Sequence, residues 1–515
     1  MKLLVTGATG VIGAAAVPAL FGAGHTLRLL SRRIDAEAAR FPPEIERFAA
    51  DLSDPAQLTG AVDDCDTVVH IAGIEEERPP TATFDKINVE GTRALCSLAA
   101  AAPAPPFFVY VSSLAADRGQ SDYHRSKREA ETIVRGYRGP WLILRPGNIY
   151  GPGDETVSML LKLSRNLPVV PLVDGGDQPF QPLWFEDFGA SLAAAVARRD
   201  LAGRTLELAG TETTTTLDLL DRFGSLTGRN PPRLPVPSSV ARIGTAIAES
   251  LGGREGNLLR TVGLEPPLNT GKLQMLLEGS VIADPAGNAL VSVFHLTPTS
   301  LHEGLERLTD LTPEQLPGEG LGATERSVYS AHIQGSRFTP ERLLDEVCTH
   351  FPELLPIEMT AEPGSATALA PGATLTGNLP GRGHFQVRVL ERDADRVTLV
   401  TLAGHPLAGV LIFSAHASPA GIRFAIETVS QASNVFDWLA LHTFGGTIQQ
   451  QNWRAVVRRV VELSGGSAPD GVACQREHLS ADDTDALAAH LTQRIDELQR
   501  HELERAARRR TPDDV

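Results

Sequence analysis

Lys2-Leu3-Leu4-Val5-Thr6-Gly7-Ala8-Thr9-Gly10-Val11-Ile12-Gly13 is the stretch whose reading decides the fold. Lys2–Thr6 is a short apolar run that reads as a strand, and Val11–Ala23 reads as a helix. Between them lie glycines at three separated positions. Gly7 permits a tight turn, Gly10 lets a backbone approach a pyrophosphate, and Gly13 allows close packing of helix on strand. A helix N-terminus offers unpaired N–H groups and the positive end of a dipole to phosphate. Thr6, Gly7, Thr9, Gly10, Val11, Ile12 and Gly13 are therefore the expected contacts of a dinucleotide.

Outward from this loop, strand-like runs alternate with helical ones. Thr26–Ser31, Thr67–Ala72, Phe107–Ser112 and Trp141–Arg145 read as further strands. Alternation of this kind implies βαβ units and a parallel sheet covered on both faces. The expected fold class is α/β, a doubly wound parallel sheet of Rossmann type, followed by a separate α+β domain with an antiparallel sheet.

Ser31-Arg32-Arg33 end the second strand, where an acidic residue would favour NAD and arginine accommodates the phosphate of NADP. NADP(H) is thus the expected cofactor, with NAD(H) as the alternative. Asp51-Leu52 follow the next element; Asp51 either accepts from the adenine amino group or serves a turn. Ala72-Gly73 are small residues that let the chain run close to the cofactor.

Tyr123-His124-Arg125-Ser126-Lys127 puts Tyr123 and Lys127 on one helix face. The ammonium is expected to lower the phenol pKa, so that Tyr123 exchanges a proton with a substrate hydroxyl or carbonyl. Ser113 is placed to orient the reacting oxygen, and Asn88 to hold a relay behind the lysine; both also suit local turn or cap roles.

These residues together resemble the signature elements of the extended short-chain dehydrogenase/reductase superfamily. The elements run in order: Gly7–Gly13, Asp51-Leu52, Val69–Gly73, Asn88–Thr92, Ser112-Ser113, Tyr123 with Lys127, and Leu144–Gly153. The resemblance covers residues 1–310, with the substrate lobe mainly in 151–310. It implies that Leu144–Gly153, with Pro146 and Asn148, lies along the nicotinamide, and that Lys127 binds the nicotinamide ribose. Leu167–Asp187, Leu234–Val236 and Gln274–Asp284 are similar to bacterial relatives of the nucleotide-binding accessory subunit of respiratory complex I. That branch often lacks the full catalytic set, whereas Ser113 here makes a Ser–Tyr–Lys set available.

Residues 311–322, rich in Pro, Gly and acid, read as a linker. Beyond it, Phe385–Leu390, Arg396–Leu402, Gly409–Ala415 and Gly421–Thr428 read as an antiparallel meander flanked by helices at Pro340–Thr349 and Trp453–Leu463. Residues 323–466 resemble the helix-grip (START-like, SRPBCC-type) superfamily, through strand order and the Gly404-His405-Pro406 turn. The resemblance implies a curved sheet around a long helix, enclosing a cavity for an apolar ligand or filled for docking. His405 and His416 are read as structural. Residues 466–480 are expected to be loop, and 467–515 a polar, partly helical, solvated tail.

A net charge of −16 argues against nonspecific nucleic-acid or anionic-membrane binding. Four scattered cysteines form no metal or disulfide pattern and suit a reducing cytoplasm. No signal peptide or apolar span of membrane length is expected. The reading is an NAD(P)-dependent oxidoreductase acting on an alcohol or carbonyl of a small, apolar molecule. Its alternatives are a non-catalytic NADP(H) sensor or scaffold and a sugar-nucleotide epimerase or dehydratase. Assembly as a homo-oligomer is compatible with the sequence.

Overall fold

The computed structural model describes residues 1–240, 274, 278–282, 284–419, 421–440 and 446–508. Residues 241–273 of the expected substrate lobe, 275–277 and 283 of the Gln274–Asp284 stretch, and Arg509-Arg510 lie outside the described residues.

Strands β1 (Lys2–Thr6), β2 (Thr26–Ser31), β3 (Glu46–Ala49), β4 (Thr67–His70), β5 (Phe107–Val111) and β6 (Trp141–Pro146) form the first sheet with a later strand, β10 (Arg204–Leu208). All pairings are parallel, in the order β10-β6-β5-β4-β1-β2-β3. The central strands are buried along their length, and all five residues of β5 are apolar or aromatic and buried. This follows from helices covering both faces. The winding direction reverses between β1 and β4. The crevice outside the carboxyl ends of strands at such a point is where doubly wound sheets hold ligands. Helix α1 (Val11–Gly22) follows β1; α2 (Gly91–Ala101) and α3 (Asp122–Arg135) follow β4 and β5. Sequence periodicity did not single out β3 or β10. Both are short edge strands with charges among their residues, so the apolar run that marks a central strand is missing.

Farther along lie α4 (Val157–Asn166), α5 (Phe185–Val196) and α6 (Thr216–Thr227). Two small parallel ribbons pair β7 (Ile149–Tyr150) with β9 (Leu183–Trp184), and β8 (Val170–Val173) with β11 (Arg233–Val236). Helix α7 (Leu301–Asp310) closes this lobe.

The second sheet contains β12 (Leu321–Ile333), β13 (Thr374–Leu379), β14 (Gly383–Arg392), β15 (Arg396–Thr401), β16 (Leu407–Ser418), β17 (Gly421–Ala432) and β18 (Ala473–His478). Its order is β13-β14-β15-β16-β17-β12-β18, antiparallel throughout. Helices α8 (Pro340–Thr349) and α9 (Gly446–Leu463) cover one face. There Leu343, Val347, Val456 and Val460 share a core with Phe413 and Phe424. Two expectations are corrected. Residues 466–480 are not all loop, because β18 pairs with β12 from Ser330↔Ala473 to Glu325↔His478. The tail is not a solvated helix either. Helix α10 (Ala481–Arg508) buries Leu491 against the other face of the sheet, and Leu503 packs on the core of the first unit. Its apolar positions recur among charges, which hides the stripe in a polar composition.

The two units meet at the end of α4. Arg165 is buried and forms a two-pronged ion pair with Glu362, at 2.8 and 2.7 Å. It also donates to Gln386 Oε1 at 2.9 Å and to the Thr309 carbonyl at 3.0 Å. Next to it, Arg382 joins the Asn166 carbonyl to Asp437. Residues 311–320 dock rather than dangle: the Gln315 amide donates to the Thr401 carbonyl at 2.7 Å.

Candidate active site

The glycine loop has the geometry its sequence implies. Gly7 has φ +75, and a Cβ there would stand 2.7 Å from the Ala72 nitrogen. At Gly13 a Cβ would overlap the Ala8 carbonyl. Gly10 differs. Its φ −88 and ψ 178 suit any residue, and a Cβ would meet nothing nearer than the Gly7 carbonyl at 3.7 Å. Gly10 is thus not required by the protein's own packing. It keeps open the space in front of the α1 N-terminus, where no side chain caps the free amides. Thr9, Val11 and Ile12 are half-buried around this opening.

Behind the loop runs a hydrogen-bond chain that sequence reading did not isolate. The Ala72 amide donates to Thr6 Oγ1 (3.2 Å), whose hydroxyl meets His70 Nδ1 (2.7 Å). His70 Nε2 meets Thr92 Oγ1 (3.0 Å), which donates to the Asn88 carbonyl (2.6 Å). Donor counting fixes the tautomer: Nε2 carries the hydrogen and Nδ1 accepts. Burial, with a smaller contribution from Lys127, holds the His70 pKa at about 3, so the ring stays neutral. The chain ties the glycine loop to the ends of β4 and α2. His70 and Thr92 lie in the Val69–Gly73 and Asn88–Thr92 stretches, but nothing in their spacing showed that they meet.

Tyr123 and Lys127 lie one turn apart on α3, both buried. Lys127 Nζ donates to the Val111 carbonyl at 3.0 Å and lies 5.2 Å from the centre of the Tyr110 ring. A Cβ on Gly73 would stand 3.3 Å from that Nζ and 3.1 Å from Asn88 Oδ1, so glycine there spares both side chains a tight contact. Burial lowers the Lys127 pKa to about 8, against the opposing charges of Glu75 and Glu131. Tyr123 corrects an expectation. Its phenol is pushed well above the ordinary value, first by burial and then by Glu75 and Tyr110, with Ser113 acting in the opposite direction. Desolvation of the phenolate outweighs any help from the ammonium.

Asn88 is fully used by the protein. Oδ1 accepts the Ile74 amide at 2.9 Å, while Nδ2 donates to the Ile74 carbonyl and to Ser126 Oγ at 3.0 Å. It fixes the chain after Gly73 against α3. Ser113 is half-buried beside Tyr123. Ser112 turns the other way and donates to Glu131 Oε1 at 2.6 Å. Glu131 is completely buried and paired by two prongs with Arg145, each at 2.8 Å. Burial raises the Glu131 pKa, but the hydrogen bonds of Arg145 and Ser112 outweigh it and leave it lowered. This pair locks α3 to β6 behind the site.

Pro146 ends β6 and is buried. Asn148 donates to Thr156 Oγ1 at 3.3 Å, while its Oδ1 is buried with no protein partner. An orphaned acceptor in the loop after β6, the open face of Gly10 and the uncapped α1 N-terminus all fit a dinucleotide. At the far end, Arg32 and Arg33 are exposed past β2. Arg32 lies 3.8 Å from Asp51, and Arg33 turns toward Glu37. Asp51 Oδ1 accepts from the amide and hydroxyl of Ser53, the turn role weighed for it. Leu52 is buried against Gly91. The structure therefore gathers Thr6, Gly7, Ala72, Gly73, Asn88, Ser113, Tyr123 and Lys127 at the ends of β1, β4 and β5, and sets Ser31, Arg32, Arg33 and Asp51 apart at the ends of β2 and β3. Among the described residues no cluster of His, Cys, Asp or Glu could hold a metal, and no helix is long and apolar enough to cross a membrane.

Residues 3–205 match the family model of the NAD dependent epimerase/dehydratase family. Over 191 residues the chain is 36% identical to a ceramide reductase of Caulobacter vibrioides, covering 37% of this chain and 59% of that protein. Over 184 residues it is 29% identical to a 3 beta-hydroxysteroid dehydrogenase/Delta 5-->4-isomerase of Mycobacterium tuberculosis, covering 30% and 49%. Over 172 residues it is 26% identical to NADH dehydrogenase (ubiquinone) 1 alpha subcomplex subunit 9 of Dictyostelium discoideum, covering 33% and 47%. The chain thus spans less than two thirds of each of these relatives. Its N-terminal unit has the doubly wound Rossmann fold, and the family match lies within it.

Proposed function

We propose that this epimerase-type Rossmann unit serves an NAD(P)-dependent oxidoreductase that interconverts an alcohol and a carbonyl on a lipophilic small molecule. The observation that carries the reading is the buried Tyr123–Lys127 pair with Ser113, set beside a glycine loop whose Gly10 side is open. The Gly7–Gly13 loop and Lys127 would hold a reduced nicotinamide dinucleotide, which would supply the hydride for the carbonyl carbon. Tyr123 gives the phenolic proton to the carbonyl oxygen, Ser113 orients that oxygen, and Lys127 offsets the charge left on the phenolate. Asn88 and the His70 chain keep these groups in register.

Arg32 and Arg33 support NADP(H) over NAD(H), because both guanidinium groups are exposed where the ribose 2′ position is expected. The named activities of the ceramide and hydroxysteroid relatives support an apolar substrate. The second sheet, covered on one face by the long helix α9, supports the helix-grip reading of this unit.

The test follows absorbance of NADPH and NADH with purified protein and a panel comprising a long-chain 3-ketone, a 3-ketosteroid and a UDP-sugar. A lipophilic ketone is expected to oxidise the nucleotide. Tyr123→Phe should lower that rate by about 10²–10⁴-fold while binding NADPH as before. Full rate in Tyr123→Phe would remove Tyr123 from the chemistry. A second reading, a non-catalytic nucleotide sensor, draws on the deep burial of the phenol and on the complex I relative. It predicts tight NADPH binding without oxidation by any panel member.

A further inference from the structure

Glu278 reaches α3 across 154 residues. Its Oε2 lies 2.6 Å from His124 Nδ1, and its Oε1 accepts the Gln120 amide at 3.0 Å. The Ser121 amide also faces the carboxylate. Ser121 caps the helix from within the loop by accepting the His124 amide at 3.3 Å. Glu278 thus adds a second cap, supplied by a distant segment, at the end of α3 where negative charge is favoured.

The pair is enclosed. A Cβ on Gly119 would meet Glu278 Oε2 at 2.8 Å. The segment carrying Glu278 is itself pinned. The Ile282 amide donates to Gln181 Oε1 at 2.7 Å, the Gln181 amide to the Ser280 carbonyl at 2.9 Å, and Arg118 to the Val281 carbonyl at 2.9 Å. On its other side the His124 ring abuts Tyr123, with centroids 5.2 Å apart and planes at 61°. Phe84 meets Tyr123 at 6.0 Å. Because a carboxylate only accepts, Nδ1 of His124 carries the hydrogen. Burial keeps the ring's pKa below its usual value despite Glu278, and Arg118 and Arg128 act in the same direction as burial.

We infer that Glu278 and His124 are positioning residues that couple the 278–282 segment to Tyr123, so that the lobe expected to contact substrate sets the aim of the phenol. The consequence for turnover rests on the proton-transfer role proposed for Tyr123; the consequence for the helix end does not.

Hydrogen–deuterium exchange of the full chain tests the link directly. In Glu278→Ala, amides of residues 120–125 should exchange about five- to thirtyfold faster, as loss of a cap implies. Residues 7–13 should be unchanged, as should the Kd for NADPH. With a ketone that the wild type reduces, kcat should fall by about tenfold or more while the KM for NADPH holds. His124→Leu should reproduce this fall, and His124→Asn, which keeps a donor near the Nδ1 position, should restore most of it. Unchanged exchange at 120–125 would overturn the proposal, and so would faster exchange with full kcat. If the wild type reduces no ketone, the reading of Tyr123 fails separately, and the exchange result still decides whether Glu278 caps α3.

Discussion

At the carboxyl ends of β1, β4 and β5, buried ionisable groups border an open loop; in the second sheet, such groups face one another or the backbone. Lys127 has a single carbonyl partner, a pKa of about 8 and a glycine beside it. His405 is equally enclosed, but its Nδ1 accepts the Leu407 amide at 2.9 Å and its ring packs edge-on against Phe385. Burial holds its pKa at about 3. His384 meets Glu362 at 3.0 Å, and Glu362 in turn holds Arg165. Burial of a charged or titratable group therefore does not by itself mark a site. The two regions differ in how these groups are paired: Lys127 has one carbonyl partner beside an open glycine loop, whereas Arg165, Glu362 and His384 complete each other.

If the Arg165 cluster is structural, breaking it should cost stability and spare the nucleotide site. Arg165→Ala leaves Glu362 buried with His384 but without its two-pronged guanidinium partner and should cost about 3–5 kcal/mol in urea unfolding. Unchanged stability would mean that the two units are not held by this pair.

Lys127 should behave oppositely, because its burial is a cost. Its folded pKa of about 8 lies below the usual 10.5, so the unfolded chain binds more protons between these values. Stability from this group should then rise with pH from about 8 to 10.5, by about 3 kcal/mol in all. Lys127→Met should abolish that rise and lose turnover without losing stability at pH 7. A pH profile of unfolding identical in wild type and variant would contradict the assignment.

His405→Leu sharpens the contrast. It strands the Leu407 amide and should cost about 1–3 kcal/mol of stability, with NADPH binding unchanged. The smallest effect is expected at the far end of the cleft. Arg32→Ala should weaken NADPH by about tenfold and leave NADH as it was, measured by fluorescence titration. Equal losses for both nucleotides would remove Arg32 from the choice between them.

The contrast also explains what the sequence could reveal. Gly7, Gly10 and Gly13 between an apolar strand and a helix announce their geometry locally, and Tyr123 and Lys127 are one turn apart. Glu131 with Arg145, His70 with Thr92, and His124 with Glu278 are joined only by tertiary folding, so no spacing exposes them. The phenol pKa depends on how deeply α3 is buried, a quantity no local motif carries. The edge strands β3, β10 and β18 lack continuous apolar runs, and α10 hides Leu491 and Leu503 among charges.

The most direct test is titration of wild type and Gly10→Ala with NADPH and NADH, followed by nicotinamide fluorescence, with melting temperature recorded in parallel. The protein itself has room for a Cβ at Gly10, so the variant should fold and melt like the wild type. The account predicts saturable binding to the wild type and at least about a tenfold loss in Gly10→Ala, because the added methyl occupies the space kept for the pyrophosphate. Equal binding by both proteins, or binding by neither, would contradict it.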